Sequence, residues 1–106
     1  MISTGTVKIN IGATTGTFAE NKDLARKWRE EKIWPAFKHK RKIVLDFSNV
    51  EVATQSFVHA LISYPLQELG EDALDMIEFK SCTKPVKEIL LTVIDYSLAP
   101  KIKKQL

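Results

Sequence analysis

Ile43, Val44, Leu45 and Phe47 form a nearly unbroken apolar run in which Asp46 is the one polar member. A strand covered on both faces has this pattern, and such strands are usually central and parallel. Past Ser48 and Asn49 the spacing changes: Phe57, Leu61 and Ile62 recur at three- and four-residue intervals. This predicts a helix that begins near Thr54, Gln55 and Ser56, is interrupted at Pro65, and closes at Gly70 after Leu69, where a residue without a side chain can turn left-handed. Earlier in the chain, Val7, Ile9 and Ile11 alternate with Lys8 and Asn10, the period of an edge strand with one wet face. Gly12 to Gly16 reads as a turn with room for a further short strand paired with the first. Thr17 and Glu20 form a capping box, which predicts a first helix from Phe18 bearing Leu24, Ala25 and Trp28. Pro35 should end that helix near Ile33. Asp75 to Lys80 alternates again, with Ile77 and Phe79 on one face. Thr83 and Pro85 open a third helix whose Val86, Ile89, Leu90, Val93, Ile94 and Ser97 keep helical spacing.

Strands and helices thus alternate, which implies an α/β fold whose sheet is mostly parallel (or mixed), with three to four strands and about three helices. Open sheets of this kind bind their ligands and partners at the carboxyl ends of the strands. The stretch after Phe47 is therefore where chemistry is expected.

Composition narrows the function classes. The 106 residues suffice for one domain, 1–106, that buries a core without metal or disulfide, with a frayed basic tail at about 100–106. The lone Cys82 has no internal partner, and there is no signal peptide or apolar run of spanning length, so a cytoplasmic location and no membrane association are expected. The net charge of +3 is modest and gathers at Lys38, Lys40, Arg41 and Lys42 and at Lys101, Lys103 and Lys104. The first cluster lacks interleaved aromatics and reads as a solvated loop, so nucleic acid is an unlikely partner.

Candidate chemistry is sparse. His39, His59 and Cys82 are too few soft ligands for a zinc site, and no cofactor is expected. His59 lies at i+3 from Ser56, yet nothing at suitable spacing orients the imidazole and no oxyanion loop follows the strand, so no catalytic residue is assigned. Cys82 reads as a small buried hydrophobe. Trp28, Trp34 and Phe37 read as core packing, with an exposed docking cluster as the alternative. For Thr54, Gln55 and Ser56 two readings stand: they cap the helix, or Ser56 is modified, a phosphate there being favoured by free backbone donors and the helix dipole.

The stretches DFSNVEVATQSFVHAL and LGEDALDMIEFKSCTKPVKEIL resemble a STAS-like family of unknown function, related to the bacterial anti-sigma-factor antagonists, over about residues 5 to 98. Ser56 falls on the serine that antagonists present for phosphorylation, Gln55 on the serine before it, Thr54 on an aspartate and Phe57 on a glycine. CTKPVKEIL is similar to the segment that opens the third antagonist helix. The resemblance implies a small STAS-like domain and a non-enzymatic regulatory module. It would dock a protein partner, a histidine-kinase-like ATPase, through Ser48, Asn49, Thr54, Gln55, Ser56 and Phe57, with phosphorylation of Ser56 as the switch. Two alternatives remain. One is a small ligand-binding domain or enzyme using Ser56, His59 and Asp46; the other is a nucleic-acid accessory protein working through the lysine clusters.

Overall fold

The computed structural model describes residues 5–99. The expected basic tail lies outside them. In chain order the elements are β1 (Val7–Asn10), α1 (Ile11–Thr15), β2 (Phe18–Ala19), α2 (residues 22–38), β3 (Ile43–Asp46), β4 (Val52–Ala53), α3 (residues 55–69), α4 (Glu71–Asp75), β5 (Ile77–Lys80) and α5 (Lys84–Ser97). The main sheet is parallel with order β1-β3-β5, so the apolar run does form the central strand and β1 does lie at an edge.

The two faces of this sheet differ, and the register shows why. Ile9, Leu45 and Phe79 are aligned across the three strands, as are Val7, Ile43 and Ile77. These rows form the core face, where Ile43 and Leu45 are fully buried. The opposite face carries the row Lys8, Val44, Glu78 and the row Asn10, Asp46, Lys80. All four outer members of those rows, Lys8, Asn10, Glu78 and Lys80, are exposed, and Val44 is half-buried. The expectation of a strand covered on both faces is therefore corrected. β3 is central by pairing, and the outer face of the sheet is polar because its neighbours bring charged residues there, with Val44 half-buried and Asp46 buried between them.

Among the described residues, five helices replace the expected three. α1 occupies part of the stretch read as a turn, with Asn10 capping it through Oδ1 (3.1 Å from the Ala13 nitrogen). The short strand thought to lie between Gly12 and Gly16 is instead β2, which pairs in parallel with β4 and not with β1. That pairing also overrides the Thr17 capping box: the Thr17 carbonyl accepts from the backbone nitrogens of Glu51 (2.8 Å) and Val52 (3.1 Å). α2 starts later, at Lys22, capped by the Asn21 side chain, which accepts from Asp23 and Leu24. α4 occupies Glu71–Asp75, taking in Asp75, which the alternation gives to the following strand; that strand begins at Ile77.

Neither proline ends its helix. Each follows a five-residue π turn, Arg29–Ile33 before Pro35 and His59–Ser63 before Pro65, and helix resumes as Trp34–Lys38 and Tyr64–Leu69. A proline in a regular helix drives its ring into the carbonyl four residues back and leaves that carbonyl without a donor. The wider π turn opens the helix just ahead of Pro35, where the Trp34 nitrogen donates to the Arg29 carbonyl five residues earlier. Gly70 ends α3 with φ +66°, as expected.

The core lies between the inner sheet face and the helices. α3 packs against both α2 and α5 and buries Phe57, Val58, Leu61, Ile62 and Leu66. α5 contributes Val86, Leu90 and Val93, while its N-cap Thr83 and the proline behind it stand where the spacing placed them. Each such large apolar side chain contributes about 1.5–3 kcal/mol by leaving water. Only two ion pairs are found among the described residues, both with an exposed carboxylate, so stability rests on packing. No helix there is long and apolar enough to cross a membrane.

Candidate functional site

The loop leaving β3 is held by Asp46 and by a close approach of α1. The Asp46 carboxylate accepts from the Ser48 hydroxyl (2.6 Å) and the Ser48 backbone nitrogen (2.9 Å). The Ser48 hydroxyl and then its backbone N–H hold the Asp46 carboxyl below its ordinary value against the opposing effect of desolvation, and the charges of Lys8 and Lys80 add weaker effects in the same downward direction. Asn49 takes φ +69°, a conformation that asparagine tolerates in turns. Gly12 lies against the loop so closely that a Cβ there would run into the Ser48 carbonyl. Sequence reasoning gave this glycine only flexibility; its actual requirement is space.

Beyond the loop, the β2–β4 pair fixes the approach to α3. The Thr54 nitrogen donates to the Ala19 carbonyl (2.9 Å), and its Oγ1 caps the helix by accepting from Phe57 (3.1 Å). The cap is thus Thr54 alone. The Thr83 hydroxyl donates to the Glu51 carbonyl (2.9 Å) and its oxygen accepts from Val86, tying this loop to the start of α5. Phe18 and Val52 face one another across the small sheet and are 47% and 43% exposed, an apolar pair beside the helix start.

The residues assigned to partner docking separate by burial. Asn49, Gln55 and Ser56 are exposed, and Ser48 and Thr54 are half-buried. Phe57 is corrected: its side chain is fully buried and meets Trp28 edge to face, with centroids 6.4 Å apart. It supports the helix start from beneath and offers nothing to a partner.

Ser56 occupies the second helical position, and among the described residues its hydroxyl makes no hydrogen bond. It opens on a groove of about 580 Å³ lined by Lys22, Arg26, Arg29, Gln55, His59, Ala60 and Tyr96. No carboxylate lines it. Sequence reasoning missed these three cations, although Lys22, Arg26 and Arg29 follow the i, i+4, i+7 spacing that puts residues on one helix face. Arg29, half-buried, donates to the Ala60 carbonyl (3.4 Å) and sits 5.8 Å from the centre of the Tyr64 ring. His59 is not paired with Ser56. Its Nδ1 lies 2.8 Å from the Tyr96 hydroxyl on α5, so the imidazole is engaged elsewhere.

The remaining candidates lie apart. Lys38, Lys40, Arg41 and Lys42 precede β3, at the end of the sheet away from Ser56. Cys82 is half-buried beyond β5, and burial pushes its thiol above its ordinary value, as suits a small packed side chain. Trp28 and Phe37 are buried in the core, while Trp34 meets the exposed Tyr64 with ring centres 5.1 Å apart and the rings tilted by 54°.

A family model described as "STAS-like domain of unknown function (DUF4325)" matches residues 25–87, from the first turn of α2 into α5. No curated protein and no solved structure matches the chain.

Proposed function

The chain belongs to the STAS-like domain family, and from that premise we propose that it is a non-enzymatic regulatory module that docks a protein partner through the surface around Thr54, Gln55 and Ser56 and is switched by phosphorylation of Ser56. The observation that carries this reading is the setting of Ser56. Its hydroxyl is exposed at the second position of α3 and opens on a groove lined by cations with no carboxylate. A phosphate there would add nearly two negative charges and reverse much of the local field. The docking surface takes in Asn49, Gln55 and Ser56 together with the apolar pair Phe18 and Val52, which is the combination of an apolar centre and a polar rim that interfaces use. An ATPase of histidine-kinase-like fold is the partner that the resemblance implies.

The test begins with affinity capture on the wild-type chain, followed by calorimetric titration of the purified partner against wild type, Ser56→Ala and Ser56→Asp. Ser56→Ala should bind like wild type, and Ser56→Asp at least about tenfold more weakly, a difference of about 1.4 kcal/mol. Equal affinities for all three would overturn the switch and leave Ser56 an ordinary first-turn residue.

A further inference from the structure

Of the two outer strands of the main sheet, β5 presents an edge whose own residues complement one another. It pairs with β3, and the Met76 and Lys80 carbonyls accept from the Ile43 and Phe47 nitrogens (both 2.8 Å). Backbone groups alternate in direction along a strand, so Glu78 also faces β3, while the N–H and C=O of Ile77 and Phe79 point to the open edge. Side chains alternate as well. Glu78 and Lys80 stand exposed on the outer face of the sheet, and neither joins an ion pair among the described residues. On the core side, the half-buried Phe79 lines an open groove of about 480 Å³ with Cys82, Leu90, Leu91 and Ile94, and Leu91 is 65% exposed. The other edge strand differs: the outer face of β1 carries Lys8 and Asn10, with no charge of opposite sign. Unpaired edges invite another strand, and charge is the usual device that decides which one.

We propose that the β5 edge pairs with the same edge of a second copy of this chain, antiparallel about a two-fold axis at Phe79, so that two sheets join into one. Backbone direction and charge select this register. Outward-facing residues must meet outward-facing residues, which places the axis on a residue of the strand and not between two. An axis on Glu78 sets two carboxylates opposite each other, and one on Lys80 sets two ammonium groups opposite, both unfavourable. An axis on Ile77 puts Glu78 and Lys80 opposite Met76 and Leu74, ahead of the partner strand. With the axis on Phe79, each Phe79 donates to and accepts from its copy, and Glu78 of each strand faces Lys80 of the other. Those are the non-hydrogen-bonded positions, where facing Cα atoms are about 4.5 Å apart and side chains meet most closely. On the core side the two Phe79 rings come together and bring the two apolar grooves side by side. A two-fold contact of this kind closes on itself and leaves β1 free. It shares no residue with the surface around Ser56.

The test is sedimentation-velocity centrifugation of the chain over a wide range of concentrations. A reversible monomer–dimer equilibrium is expected, weaker at high salt because the charge pairs are exposed. Glu78→Lys alone and Lys80→Glu alone should each weaken self-association at least about tenfold, since each sets like charges opposite one another at both symmetry-related positions. An equimolar mixture of the two variants should associate like wild type, because the register then sets opposite charges against each other again. The double variant Glu78→Lys/Lys80→Glu should do the same. Recovery in the mixture also shows that both single variants are folded. Exchange of the Phe79 amide should slow as the concentration of the wild-type chain rises. A monomer at every concentration would overturn the proposal and leave the edge to a strand of another protein. A dimer indifferent to both single substitutions, or variants that stay apart when mixed, would overturn it as well.

Discussion

Phe57 stands edge-on to Trp28, ring centre to ring centre at 6.4 Å, and this contact fastens the start of α3 to α2. This buried aromatic pair is part of the packing that holds together the two helices presenting Ser56 and the cationic row. Such pairs prefer this edge-to-face arrangement and contribute roughly 0.5–1.5 kcal/mol beyond the area they bury.

Phe57→Ala should destabilise the protein by about 3–5 kcal/mol, the usual cost of removing a buried phenylalanine. Urea unfolding followed by tryptophan emission measures this directly, since Trp28 loses its partner. A loss below about 0.5 kcal/mol would be at odds with a fully buried ring.

Gly12→Ala should cost about 1–3 kcal/mol, because the added methyl meets the Ser48 carbonyl, which is backbone and cannot rotate away. Gly16→Ala gives a contrast. That glycine has φ +74° with open space around it, so its cost is purely conformational and should not disturb the β3–β4 loop. Amide chemical shifts of Ser48 and Asn49 should move in the first variant and stay in the second.

Asp46 gives the stability a dependence on pH. Its carboxyl is held below the unfolded value, so the ionised form stabilises the fold at every pH above the ordinary carboxylate range, and this contribution is lost as pH falls through the lowered folded value. Asp46→Asn should therefore be less stable than wild type at neutral pH and should lose less on acidification, the two converging in acid. Parallel unfolding curves across that range would show that Asp46 does not couple to folding.

Phe18→Ser and Val52→Ser should weaken partner docking while shifting stability by less than about 0.5 kcal/mol, since both side chains are already exposed. Thr54→Ala is the complementary variant, costing about 1 kcal/mol of stability by removing the cap while leaving Ser56 in place. Thermal unfolding and calorimetric titration, run side by side, separate the two effects.

The sequence by itself determined the parts in which local pattern and tertiary role agree. The run from Ile43 to Phe47 named the central strand, Thr83 and Pro85 named the start of α5, and the change of period after Asn49 located the start of α3 and hence Ser56. In each of these, hydrophobic spacing and capping chemistry are both local. What only the tertiary structure decided depends on residues brought together from afar. Thr17 looked like a cap until its carbonyl was taken by Glu51 and Val52, and Val44 looked doubly covered until pairing set Lys8 and Glu78 beside it. Pro35 looked like a stop and Pro65 like an interruption, because a π turn ahead of a proline leaves no mark in the hydrophobic period. The cationic groove shares this origin. Lys22, Arg26 and Arg29 carry a periodic signal on their own helix, but what makes them a site is Ser56, His59 and Tyr96 arriving from two other helices, and packing alone brings them there.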